Sequence, residues 1–223
     1  MINYTKKFFY FLFFGRFDFF LKSCDGLIHI GANEAQERKH YKNLCVKRVI
    51  YIEADPEVFK KTITNIKNYK GYVAYNYLVT DKINRPYFFN VSNNGGNSSS
   101  IYDLKEHKFI YPEVSYVKKI RLLSQTLSSI VKKHKIKISN FQALVLDTQG
   151  SEFSILKGSK NILKYFKYIK LEASDFQLYS NKKGSVNDIS IYLRKFGFYE
   201  VKRIVIGKNS KKGKIFDILY SKK

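Results

Sequence analysis

Residues 26–34, Gly-Leu-Ile-His-Ile-Gly-Ala-Asn-Glu, read as a short apolar strand that breaks into a tight turn at Gly31-Ala32-Asn33. About twenty residues later, residues 49–56, Val-Ile-Tyr-Ile-Glu-Ala-Asp-Pro, form a second apolar strand that ends in a carboxylate. A strand, a glycine turn and a second strand closing on an acid are the opening of a nucleoside-binding α/β sheet. The dinucleotide pattern would also require glycine at positions 33 and 36, where this chain has Asn33 and Gln36. A pyrophosphate therefore lacks a glycine-lined approach, and a nucleoside without phosphates fits better.

Past residue 25 strand-like and helix-like segments alternate, as in a parallel sheet covered by helices. Strands are expected at residues 27–30, 49–53, 72–78, 87–91, 117–121, 143–147 and 169–172, with closing strands at 199–206 and 214–221. Helices are expected at 35–44, 56–67, 123–134, 152–163 and 186–196, the second opened by Pro56, which fits a first helical turn. The last two strands are close enough in sequence to form a hairpin, which puts one antiparallel strand into a mostly parallel sheet. Residues 92–100, Ser-Asn-Asn-Gly-Gly-Asn-Ser-Ser-Ser, are too rich in turn formers for regular structure. They are expected to close over a ligand, with a solvated linker as the rival reading.

At 223 residues and 44% hydrophobic, the chain suffices for one buried core, so a single domain is expected at 25–223 after an aromatic-rich segment at 1–24. In that segment Arg16, Asp18 and Lys22 interrupt the phenylalanine run, which is too short for a spanning helix. It is expected either to pack on the domain or to touch a membrane surface beside its lysines. Cys24 and Cys45 lack CxxC spacing and the four histidines form no ligand pattern, so a reducing, cytoplasmic setting without structural zinc is the default. The net charge of +23 is nearly all lysine, 34 against seven arginines. Arginine forks are the usual readers of phosphates and bases, so a solvated basic surface is favoured over nucleic-acid binding.

The chemistry-bearing residues fall at the carboxyl ends of the expected strands, where open α/β sheets bind ligands. They are Gly31, Ala32 and Asn33 after the first strand, Glu53 and Asp55 at the end of the second, Asp81 after the third, then Asp147 and Gln149, and Glu172. Glu53 is placed to accept both hydroxyls of a ribose. Glu152, at a helix start, is expected to complement the helix dipole.

These stretches, with the Gly-Gly-Asn-Ser-Ser-Ser loop at 95–100, residues 144–152 (Leu-Val-Leu-Asp-Thr-Gln-Gly-Ser-Glu), residues 155–158 (Ile-Leu-Lys-Gly) and Leu171-Glu172, resemble the FkbM-type S-adenosylmethionine-dependent methyltransferases over roughly residues 25 to 200. The resemblance implies a class I methyltransferase (Rossmann-like) three-layer sandwich with a mostly parallel seven-stranded sheet and one antiparallel strand. It implies S-adenosylmethionine as cofactor, with Gly31, Ala32 and Asn33 lining it and Glu53 on its ribose; His29, Ala54, Asp81 and Asp147 complete the cofactor-contacting candidates. His29 stands where the family usually has aspartate, Ala35 replaces a usual glycine, and Gln149 replaces a glutamate. The implied activity is O-methylation of a sugar, surface glycan or secondary metabolite, with an RNA methyltransferase or a non-catalytic nucleoside-binding module as alternatives. Asp147 is the first candidate for removing the acceptor's proton, Glu172 the second. The two could also hold a magnesium ion with Asp175, although no residue is assigned as a metal ligand.

Overall fold

A computed structural model describes residues 18–181 and 183–222. In chain order the elements are α1 (Asp18–Leu21), β1 (Gly26–Ile30), α2 (Arg38–Asn43), β2 (Arg48–Glu53), α3 (Pro56–Ile66), β3 (Tyr72–Asn76), β4 (Leu78–Val79), β5 (Pro86–Ser92), β6 (Tyr116–Gln125), α4 (Leu127–Lys133), β7 (Ala143–Leu146), α5 (Glu152–Gly158), β8 (Tyr168–Ser174), α6 (Val186–Arg194), β9 (Phe198–Asn209) and β10 (Gly213–Lys222). Seven strands form one sheet in the order β3-β2-β1-β7-β8-β10-β9. All pairings from β3 to β8 are parallel, and β10 runs antiparallel to both β8 and β9.

Alternation along the strands sends successive side chains to opposite faces, and both faces are buried. Ile28, Ile30, Ile50, Ile52, Leu144 and Leu146 pack beneath α4, α5 and α6. Leu27, Val49, Tyr51, Ala143 and Val145 pack on the other side with Tyr41 of α2 and with Phe20 and Leu21 of α1. The described end of the N-terminal segment is thus part of the core, while Lys202 lies over the ring of exposed Phe19. The expectations for residues 1–17, including the membrane-surface reading, lie outside the described residues. No helix among the described residues is long and apolar enough to cross a membrane.

Several boundaries differ from expectation for local reasons. The helix expected from residue 35 begins only at Arg38, because Asn33 and Ala35 take left-handed φ angles of 45° and 53° that no helix accommodates. The third strand stops at Asn76, and Leu78–Val79 leaves the main sheet to pair with β6 in a second sheet ordered β4-β6-β5. Residues 123–125 belong to β6 rather than to a helix; α4 starts after Thr126, whose hydroxyl accepts from the Ser129 amide while Ser129 Oγ accepts from the Thr126 amide. Helix α5 ends at Gly158, where a Cβ would sit 2.3 Å from the Thr80 carbonyl oxygen. α3 is capped as its sequence suggests: Asp55 Oδ1 accepts from the amide of Glu57 at 2.8 Å, and Pro56 fills the first turn.

Candidate functional site

Strand order reverses between β1 and β7, since the chain leaves β1 for β2 on one side and β7 lies on the other. The cleft of interest opens at the carboxyl ends of those three strands. Gly31 makes the turn possible. Its φ is +78°, its amide donates to Ile52 O at 2.9 Å, and a Cβ there would lie 1.8 Å from the carbonyl oxygen of Asp147. The two strand ends therefore approach each other as closely as backbone allows, and only glycine fits between them.

Glu53, only 7% exposed, holds the next step of the turn. Its Oε2 accepts from the Asn33 amide at 2.8 Å and its Oε1 from the Asp55 amide at 2.9 Å. Each carboxylate oxygen keeps a further lone pair, and Glu53 is among the residues that line the cleft. Burial pushes the Glu53 carboxyl up to about 7, against the lowering effect of those amides. Asn33 then reaches across the cleft, donating from Nδ2 to Gly95 O at 3.1 Å, while the Thr62 hydroxyl donates to Asn33 O.

The loop at 92–100 is a folded strap and not a solvated linker. Ser98, Ser99 and Ser100 are buried, and Gly96, Asn97 and Ser99 line the cleft. Its hydroxyls are mostly engaged within the protein: Ser99 Oγ accepts from the Ser92 amide, Ser92 Oγ from the Ser98 amide, and Ser100 Oγ donates to Gln149 O at 2.7 Å. The last bond ties the strap to the turn after β7.

That turn carries Asp147. Its side chain is open to the cleft yet ringed by protein; the enclosure raises its carboxyl above the usual range while Lys170 and a bond from Gln149 Nε2, 2.7 Å from Oδ1, oppose the rise. Gln149 takes a left-handed φ of 52° and in turn accepts from the Tyr179 hydroxyl at 2.6 Å. Glu152 acts within the turn itself: Oε1 accepts from the Thr148 amide at 2.7 Å and Oε2 from the Gly150 amide at 3.0 Å. It clamps the loop as well as standing in the first turn of α5.

Of the residues singled out in the sequence, Gly31, Ala32, Asn33, Glu53, Ala54, Asp147 and Gln149 line this one cleft. His29, Asp81 and Glu172 do not. His29 is 3% exposed beneath the sheet, with the Tyr41 hydroxyl 3.2 Å from Nδ1, and burial depresses its pKa to about 3, so it is neutral. Asp81 is turned toward α5, accepting from Ser154 Oγ at 2.7 Å and pairing with Lys157 at 3.0 Å. Glu172 faces a second, adjoining cavity lined also by Gly150, Asp175, Tyr179 and Asp188. Burial, reinforced by the negative charges of Asp147, Glu152 and Asp217, raises Glu172 well above the ordinary carboxylate range. Among the described residues no group of three or more His, Cys, Asp or Glu side chains could hold a metal ion, so the Asp147, Glu172 and Asp175 trio expected as a magnesium site does not converge. Sequence reading missed Glu37, Tyr77 and Phe89, which also line the cleft; no local pattern marks them, because tertiary folding alone carries them there.

This sheet order, with β10 reversed and the cleft at the β1/β7 switch, defines a class I methyltransferase fold. The chain belongs to the FkbM methyltransferase family: the model described as "Methyltransferase FkbM domain" matches residues 29–199. Among solved structures, TrmK of M. capricolum in complex with S-adenosyl-homocysteine is similar at a TM-score of 0.51 and 9% identity, covering 92% of this chain and 67% of that one. The methyltransferase domain of bacterial CtHen1-C is similar at a TM-score of 0.50 and 10% identity, covering 93% and 95%. At such identity these likenesses show the fold alone. No curated protein matches the sequence.

Proposed function

We propose that the cleft binds S-adenosylmethionine and that the protein methylates a hydroxyl group of a sugar, surface glycan or secondary metabolite. The residues present fit such a cofactor. Glu53 offers free lone pairs to a ribose diol, the closeness of Gly31 to Asp147 leaves bare backbone at the floor, and Ile52, Leu78 and Phe89 supply apolar wall for a base. When bound, the cofactor supplies an electrophilic methyl group on a sulfonium.

The observation that carries the hydroxyl reading is a pair of carboxyls on neighbouring strands, Asp147 just after β7 lining the first cavity and Glu172 on β8 lining the second, both raised by burial, with the Asp147 charge felt at Glu172. A carboxylate of raised pKa is a stronger proton acceptor than an ordinary one. Asp147 would take the acceptor's hydroxyl proton as that oxygen displaces sulfur from the methyl carbon, leaving the cofactor as a neutral thioether, and Glu172 would relay the proton or orient the acceptor. The second cavity, lined by Asp175, Asn181, Ser185 and Asp188, is polar enough for a polyhydroxylated acceptor.

Transfer of labelled methyl from S-adenosylmethionine to a panel of saccharides and hydroxylated metabolites, with transfer RNA in parallel, tests the assignment. Labelling of a hydroxylated acceptor that Glu172→Gln slows supports it. A net charge of +23 is compatible with a polyanionic acceptor, and salt-sensitive labelling of RNA alone would replace the hydroxyl reading with that one.

A further inference from the structure

The four most exposed large apolar side chains among the described residues all belong to the small sheet β4-β6-β5 or to the turn that leads into it. They are Phe88 on β5 at 66%, Val117 and Leu123 on β6 at 65% and 58%, and Ile83 in the turn at 55%. Single exposed apolar residues are ordinary, but four gathered on one small element mark an interaction surface. Pro86 pairs with Leu123, Phe88 with Arg121 and Asn90 with Lys119, and directly opposed residues point to the same side of a sheet. Phe88, Leu123, Arg121 and Lys119 therefore share the outer face. Ile83 stands next to its Leu123 end, since the Asn84 amide donates to Ser124 O at 2.8 Å, and Val117 stands two residues beyond Lys119.

The face is also cationic. Residues 82–92 and 116–125 contain no Asp or Glu, while Lys119 and Arg121 on the face and Lys82 and Arg85 in the turn are all exposed. None of these four pairs with a carboxylate among the described residues; Arg85 lies over the ring of Tyr87, 5.4 Å from its centre. The mixture narrows the occupant. An apolar protein partner would strip water from the cations, and a nucleic-acid strand would take the cations and one ring but leave Val117, Leu123 and Ile83 in water. An anionic bilayer satisfies both sets, because apolar side chains enter the acyl boundary while lysine and arginine reach the phosphates.

We propose that this face seats the protein on an anionic lipid bilayer, with Phe88 and Leu123 entering the headgroup boundary and Lys119 and Arg121 meeting lipid phosphates. Phe89, the next residue along β5 and turned the other way, lines the cleft. The seated protein would thus hold its cleft one strand away from the lipid, which suits an acceptor carried on a lipid anchor. The docking itself does not depend on what the cleft binds.

The chain contains no tryptophan, so Phe88→Trp places a single fluorescent reporter on the face. With vesicles of equal parts phosphatidylcholine and phosphatidylserine its emission should shift to the blue and be quenched by brominated acyl chains. Tyr165→Trp, at an exposed site elsewhere, should show neither change. Co-sedimentation of the full chain with the same vesicles separates the face from the net charge of +23. Lys119→Ser with Arg121→Ser should weaken binding about thirtyfold, and Phe88→Ser with Leu123→Ser about tenfold. Lys67→Ser with Lys70→Ser, which removes the same charge from exposed positions on another face, should stay within about threefold of wild type. All these positions are exposed, and the circular dichroism of each variant should match wild type. Wild type that ignores the vesicles, a Phe88→Trp reporter that stays unshifted on bound protein, or equal losses in the two charge variants would overturn the proposal. A reporter that responds to transfer RNA and not to vesicles would overturn it in favour of a nucleic-acid surface.

Discussion

Replacing Glu53 by glutamine changes one oxygen for an amide nitrogen at the centre of the cleft. In the native protein both oxygens already accept backbone amides, from Asn33 at 2.8 Å and Asp55 at 2.9 Å. Glutamine can accept only one, and its NH2 group then faces the other N–H. A hydrogen bond to a charged group is worth about 1.5 to 3 kcal/mol and a neutral one about 0.5 to 1.5, while an amide left without a partner costs about 1 to 3. The fold should therefore lose about 2 kcal/mol, which in a domain of this size lowers the Tm by about 4 to 8 °C. A ribose diol loses its charged acceptor as well, a difference of about 1 to 2 kcal/mol, or roughly five- to thirtyfold in affinity. S-adenosylhomocysteine titration at pH 8 and 25 °C, on protein that is folded at that temperature, reads the second effect apart from the first. Because burial holds the wild-type carboxyl at about 7, its affinity should also fall as pH drops from 8 to 6, and the glutamine variant should lack the part of that fall due to Glu53. Affinities equal within twofold at pH 8, with the Tm lowered as expected, would confine Glu53 to holding the turn and refute its place on the ribose.

Gly31→Ala should unfold far more easily than Gly197→Ala, by at least about 2 kcal/mol in chemical denaturation. Both glycines have φ near +80°, but a Cβ at 31 meets the Asp147 carbonyl oxygen whereas one at 197 meets nothing within 4 Å. Glu172→Gln should reduce turnover about a hundredfold while leaving S-adenosylhomocysteine affinity unchanged, because Glu172 lies outside the cofactor cleft; a parallel loss of binding would contradict that division. Breaking the buried Lys170–Asp217 pair by Lys170→Met should cost about 3 to 5 kcal/mol, and Asp217→Leu added to it should restore part of the loss, both read by denaturant titration.

The sheet was legible because its signals are local. Strands β1, β2 and β7 are short, mostly apolar runs, and turns at Gly31 and after Leu146 follow directly from glycine and polar residues in sequence. What escaped depends on distant partners. Leu78 reads as the tail of β3, and only the pairing of Leu78 and Val79 with Ser124 and Gln125 makes them part of another sheet. Leu123 shares helical spacing with Leu127 and Ile130, yet pairs with Pro86 in β6, so the two periodicities overlap and tertiary pairing decides. In the site, Glu53 and Asp147 were readable as strand-end acids. Asp81 has the same signature, but Lys157 and Ser154, more than 70 residues away, turn it toward α5. Glu37 had no signature, since the left-handed turn at Asn33 and Ala35 that precedes it breaks the expected helix and delivers it to the cleft.

Hydrogen–deuterium exchange of the full chain with and without saturating S-adenosylhomocysteine tests the central claim, that this cleft is the cofactor site. Protection should appear in peptides spanning residues 30–37, 52–58, 95–101 and 147–152, the segments that line the cleft or are bonded to its walls. Protection confined to other segments, such as 185–203 beside α6, or no protection in a folded protein, would contradict it.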